Sequence, residues 1–134
     1  MLKTIRSLLF VLAAATAFQA GTALANDGDC SSAGVLSYID RDFDLRAHRY
    51  LQRDIAIEDI YGVHLNRFEG RDYTHSVERQ YCHATARFSD GRKRHIWYLI
   101  ERNWGFAGLG SSTSYCVEGL DPWYYYGRNC RSLR

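Results

Sequence analysis

The side chains of this chain that could do chemistry are five histidines, a large set of arginines and a run of consecutive aromatic residues near the C-terminus. Histidine changes charge near neutral pH and serves as a general acid, general base or metal ligand. Arginine's planar fork holds a carboxylate or phosphate bidentately and stacks on rings. Tyrosine and tryptophan beside arginine make a recognition surface that buries large area at little entropy cost. His83, Arg87 and Glu78 form the set on which a small secreted hydrolase or nuclease could be built. His48, His64 and His75 fall in connecting segments and are not placed by the sequence. No HExxH or CxxC spacing occurs, and the neighbours Cys82 and His83 point to opposite faces of a strand, so no metal and no cofactor is expected. A G-x-S-x-G elbow, a P-loop and a dinucleotide fingerprint are all lacking, and the glycines from Gly105 to Gly110 come without a phosphate-binding lysine.

These residues must be positioned by a small number of elements. Val35, Leu36, Ile39 and Phe43 recur at helical spacing, and Ser31 or Ser32 ahead of them is suited to cap the first turn, which predicts a helix over 33–46. Residues 55–68 are β-rich with the alternation broken at Gly62, the pattern of a strand with a bulge or of two short strands. Asp90-Gly91 between two β-rich runs predicts a hairpin closed by a two-residue type I′ turn. That register sets Ser89 opposite Arg92, Ala86 opposite His95, Ala84 opposite Trp97 and Cys82 opposite Leu99. It assigns Cys82, Ala84, Ala86, Phe88, Trp97 and Leu99 to a core face beneath the helix, with Glu101 on the same side near a strand end, where a salt bridge to an arginine is expected. The other face then carries Tyr81, His83, Thr85, Arg87, Arg94, Ile96, Tyr98 and Ile100, with His83 and His95 on opposite faces. Residues 103–114 read as a loop, 114–118 as a short strand and 120–134 as an irregular tail. The expected fold is α+β: one N-terminal helix packed on a roughly four-stranded antiparallel sheet.

The first 25 residues differ from the rest. Lys3 and Arg6, an apolar run from Leu8 to Phe18 and the sequence Ala23-Leu24-Ala25 make a signal peptide with cleavage expected before Asn26, leaving residues 26–134 as a single small exported domain with no transmembrane span. Four cysteines in a small exported domain predict two disulfides. Three pairings are open to Cys30, Cys82, Cys116 and Cys130; the preferred one joins Cys116 to Cys130 across a local loop and Cys30 to Cys82 across half the chain. The local loop, about 15 residues, would stabilise by roughly 3 kcal/mol.

Tyr81-Cys82-His83-Ala84-Thr85-Ala86, Ser89-Asp90-Gly91-Arg92, Trp97-Tyr98-Leu99-Ile100-Glu101, Gly105-Phe106-Ala107-Gly108, Tyr115-Cys116-Val117, Gly119-Leu120-Asp121-Pro122-Trp123 and Cys130-Arg131 together resemble a group of short exported proteins of alphaproteobacteria. The resemblance covers mainly the C-terminal half. It implies a periplasmic or secreted bacterial domain and carries no activity to any residue.

The whole chain has 17 basic and 15 acidic residues. Both basic residues of the signal leave with it, so the exported part is formally neutral, which argues against a nucleic-acid partner. Residues 26–78 are net acidic and 79–134 net basic. The simpler expectation is that the halves pair across the helix–sheet layer or solvate; the sharper one is an anion-recognising sheet face, since Arg87 opposite Arg94 would be repulsive without an anion between them. The sequence thus reads as a non-catalytic periplasmic or secreted binding or envelope-interaction module. Its ligand-facing residues are expected to be Tyr81, His83, Arg87, Arg94 and Tyr98, with Trp123, Tyr124, Tyr125 and Tyr126 as a second surface. An envelope protein, a glycan or an anionic ligand would suit them as partner, and an Ile96, Tyr98 and Ile100 stripe would equally suit a homodimer.

Overall fold

The computed structural model describes residues 28–104 and 106–134. The signal peptide read over residues 1–25 lies outside the described residues. No described helix is long and apolar enough to cross a membrane.

Helix α1 runs Ala33–Arg46 and continues through a wider π-type turn, Ala47–Leu51, which ends at Gln52 in the left-handed region (φ 50°). Ser32 precedes the helix, but its side chain makes no capping hydrogen bond; its backbone carbonyl accepts from the Leu36 amide at 3.0 Å. Four strands complete the fold, β1 Ile57–Glu69, β2 Glu78–Phe88, β3 Lys93–Trp104 and β4 Gly110–Val117, paired antiparallel in chain order. The expected α+β fold is therefore the observed one. β1 changes register between Tyr61 and His64, around Gly62 with φ 63°, which is the break anticipated there. β3 and β4 run further into the predicted loop than expected, with Trp104 opposite Gly110.

Helix α1 buries Ile39 and Phe43 against one sheet face, where the small Ala84 and Ala86 let it approach and Phe43 meets Phe88 edge-on at 5.3 Å between centroids. Cys30 bonds to Cys82, stapling the start of the helix to this face, and Cys116 bonds to Cys130, stapling the tail to β4. Both expected pairings are present. Two disulfides suit an oxidising, extracytoplasmic milieu.

The hairpin register differs from the prediction by one residue. Phe88 and Arg92 close a three-residue loop, with the Phe88 amide donating to the Arg92 carbonyl at 3.0 Å and the Gly91 amide to the Phe88 carbonyl at 2.9 Å. Only Gly91 is left-handed (φ 75°), so this is a turn with a glycine bulge instead of a type I′ turn. Local contacts hold this loop: the Asp90 carboxylate accepts from the Arg92 amide at 3.0 Å and from both guanidinium nitrogens of Arg94 at 3.1 and 2.6 Å. Because side chains alternate, the shift turns the whole of β3 over relative to β2. Ala84 faces Ile96, Cys82 faces Tyr98 and Gln80 faces Ile100, so the core contains Ile96, Tyr98 and Ile100 instead of Trp97 and Leu99. The stripe considered for a homodimer is thus core.

Candidate functional site

The register dissolves the first of the two expected surfaces. Tyr81, His83 and Arg87 do share the outer face of β2, but Arg94 and Tyr98 lie on the other side. Tyr98 is 0% exposed and its hydroxyl donates to the Cys30 carbonyl at 2.7 Å. Arg94, its side chain 9% exposed, lies over the Phe88 ring and is paired with Asp90. Arg87 instead faces Lys93 and pairs with Glu58 at 3.1 Å. Tyr81 is covered by the Arg67 guanidinium, 3.7 Å from its ring centre. Glu101 lies on the outer face instead of the core side, and does form a salt bridge, with Arg79 at 3.0 Å. Together with Arg79–Glu69 and Arg102–Asp29, the Arg87–Glu58 pair joins the basic half to the acidic half, with Arg79–Glu69 and Arg87–Glu58 running between neighbouring strands and not across the helix–sheet layer.

His83 and His95, expected on opposite faces, sit side by side, with His83 Nε2 2.9 Å from His95 Nδ1. His64 packs edge-on to His83 at 4.7 Å and Trp97 tilts over it at 4.2 Å. Burial, with further contributions from His64, His95 and Arg134, lowers the His83 pKa to about 4. His83 Nδ1 and Trp97 Nε1 are buried without a hydrogen-bond partner, a cost the surrounding packing must offset. Among the described residues no group of three or more His, Cys, Asp or Glu side chains is placed to hold a metal ion. Glu78 belongs to the opposite face of β2 from His83 and Arg87, so the acid/base set considered for a hydrolase is not assembled.

Of the second expected surface, Trp123, Tyr125 and Tyr126 line a groove and Tyr124 does not. The tail turns back at Asp121, whose carboxylate oxygens accept from the Tyr125 and Tyr126 amides, both at 3.1 Å. Tyr124 takes a left-handed φ of 51° to complete the turn, and the Cys116–Cys130 bond pins the remainder of the tail. Leu133 and Tyr126 pack with Trp97 and Leu99, so the tail covers the β3–β4 part of the outer face. Between this tail, the β4 edge and the end of α1 lies a groove of about 670 Å³. Its walls are largely apolar and aromatic: Leu45 and Tyr50 from the helix end, Tyr115 from β4, and Trp123 and Tyr125 from the tail. Trp123 is 68% and Tyr125 82% exposed, so both rings stand open to solvent.

Among the described residues, four charged side chains line the groove, Asp42, Arg46, Arg49 and Asp121. Asp42 accepts from Arg46 at 2.5 Å and from the Tyr115 hydroxyl at 2.9 Å. Burial pushes the Tyr115 phenol well above its ordinary pKa, so it stays protonated and keeps donating. Asp121 is engaged by the backbone. Arg49 has no ion pair among the described residues. The tail aromatics of this groove are among the residues expected from sequence, whereas its helix side is not. A signal for the helix side exists, since Asp42, Arg46, Arg49 and Tyr50 continue a helical i, i+3, i+4 spacing past the point where the helix is expected to end.

Comparison with protein-family models, with curated proteins and with solved structures finds no match.

Proposed function

We propose that this chain is an exported, non-catalytic binding module, working in the periplasm or outside the cell, and that its ligand lies in the groove between the end of α1 and the tail. The observation carrying this reading is the open pair Trp123 and Tyr125 over an apolar groove of about 670 Å³, within the 300–1,000 Å³ range of small-ligand sites. Large exposed aromatics that the core does not use are costly to leave in water and are typical recognition residues. The signal-like N-terminus, the two disulfides and the resemblance to short exported proteins support the compartment.

The test starts from the full chain, exported into an oxidising bacterial compartment and purified as it emerges. Wild type and a Trp123→Ala/Tyr125→Ala variant are incubated with a native envelope extract, washed, and their retained small molecules and glycans identified by mass spectrometry. A species held by wild type and lost by the folded variant is the expected result. Equal retention by both proteins overturns the groove as the binding site.

A further inference from the structure

We propose that the groove takes an amphipathic organic anion, a ring-bearing apolar body of small-molecule size whose single acidic group pairs with Arg49. This rests on the groove being the binding site and adds the chemistry of what fills it. The walls set the body of the ligand: Leu45, Tyr50, Trp123 and Tyr125 offer faces that an apolar or aromatic skeleton covers and that a hydrated polar molecule would not.

Charge complementarity sets the head of the ligand. Asp42 is ion-paired with Arg46 and accepts a hydrogen bond from the Tyr115 hydroxyl, and each oxygen of Asp121 accepts a backbone amide of the tail turn. Both carboxylates thus already have polar partners in the folded chain. Arg49 is exposed at the groove lining without an ion pair among the described residues. A guanidinium beside a low-dielectric aromatic wall binds a carboxylate or sulfonate more strongly than one surrounded by water. Being in the last turn of the helical segment, its charge is also compatible with the helix end, so it can stand there without a partner until a ligand arrives.

The probes are a matched pair, 8-anilinonaphthalene-1-sulfonate and N-phenyl-1-naphthylamine, which share the ring body and differ in the sulfonate. They are titrated by fluorescence against the exported, disulfide-intact protein, with near-ultraviolet circular dichroism confirming the native fold of each variant. The sulfonate is expected to bind one to one and more tightly than the amine. Arg49→Gln should weaken the sulfonate at least tenfold and leave the amine unchanged, while Trp123→Ala weakens both. If Arg49→Gln leaves sulfonate binding unchanged, the anion assignment is overturned and the groove stands. If neither probe binds, or if Trp123→Ala affects neither, the groove fails as the binding site and the anion assignment with it. A concentration-dependent dimer that excludes the probes, seen by sedimentation, overturns the assignment in favour of a second copy as occupant.

Discussion

His83 and His95 meet across β2 and β3 with Nε2 2.9 Å from Nδ1, and this contact exists only because the hairpin closes on three residues. One ring must donate and the other accept, so the pair tolerates one proton fewer than two imidazolium ions would carry. With His64 on the other side of His83, an added charge there meets two potential cations and Arg134.

This arrangement makes stability depend on pH. His83 titrates near 6.5 when unfolded and at about 4 when folded, burial being the main cause, so between these values the unfolded chain holds a proton that the folded chain does not. The stability associated with neutral His83 is fully present above pH 6.5 and is lost as pH falls toward 4. Thermal unfolding should show a Tm that declines over that window, and His83→Gln should remove much of the slope. Asp72 and Asp90, held at about 2 by hydrogen bonds from Thr74 and Arg94 respectively, add a separate loss below pH 4. A His83 imidazole titrating at its ordinary value by NMR would contradict the assignment.

Gly91 supplies the left-handed residue of the hairpin loop. Its φ of 75° is in the region that disfavours side chains, and a Cβ added there would touch nothing within 4 Å. Gly91→Ala should therefore cost about 1 kcal/mol through backbone strain alone, read as a lower urea midpoint with an unchanged m-value. Ligand capture by the folded variant should be normal.

Tyr98→Phe leaves the Cys30 carbonyl without its buried donor at 2.7 Å. The expected loss is about 1–2 kcal/mol of stability with no effect on binding. A binding defect without a stability defect would return Tyr98 to the ligand-facing set.

Arg94→Glu and Arg87→Glu, equivalent under the expected register, should behave differently. Arg94→Glu sets a carboxylate against Asp90 and over the Phe88 ring, and should lower the Tm clearly. Arg87→Glu breaks an exposed pair with Glu58 and should change the Tm little. Differential scanning calorimetry of the two single variants distinguishes them.

Replacing Cys116 and Cys130 together by serine releases a loop with a separation of 14 residues. The chain-entropy cost is about 3 kcal/mol, and the tail wall of the groove loses its anchor. Binding of the naphthalene probes should weaken more than their binding to any variant on the outer sheet face.

Much of the architecture was written in local pattern. The helical spacing of Val35 to Phe43, the β-rich runs, the interruption at Gly62, the position of the hairpin and the local Cys116–Cys130 loop are all seen in the fold. Each depends on neighbours in sequence or on the chemistry of a residue type, which a single chain displays without its partners. What local pattern left undecided was parity: Asp90-Gly91 accommodates a two-residue or a three-residue loop, and only the Asp90 contacts with Arg92 and Arg94, together with the packing of Ile96, Tyr98 and Ile100 under α1, select the second. With a side-chain period of two, that one residue exchanges the faces of β3, which buries Tyr98, turns Arg94 to the helix side and brings His83 to His95. The groove was equally out of reach, because its walls are Asp42 to Leu51 and Tyr115 to Tyr126, far apart along the chain. They meet because the helix lies along the sheet and the Cys116–Cys130 bond turns the tail over the edge of β4, and such juxtaposition is a property of packing that no spacing within either segment encodes.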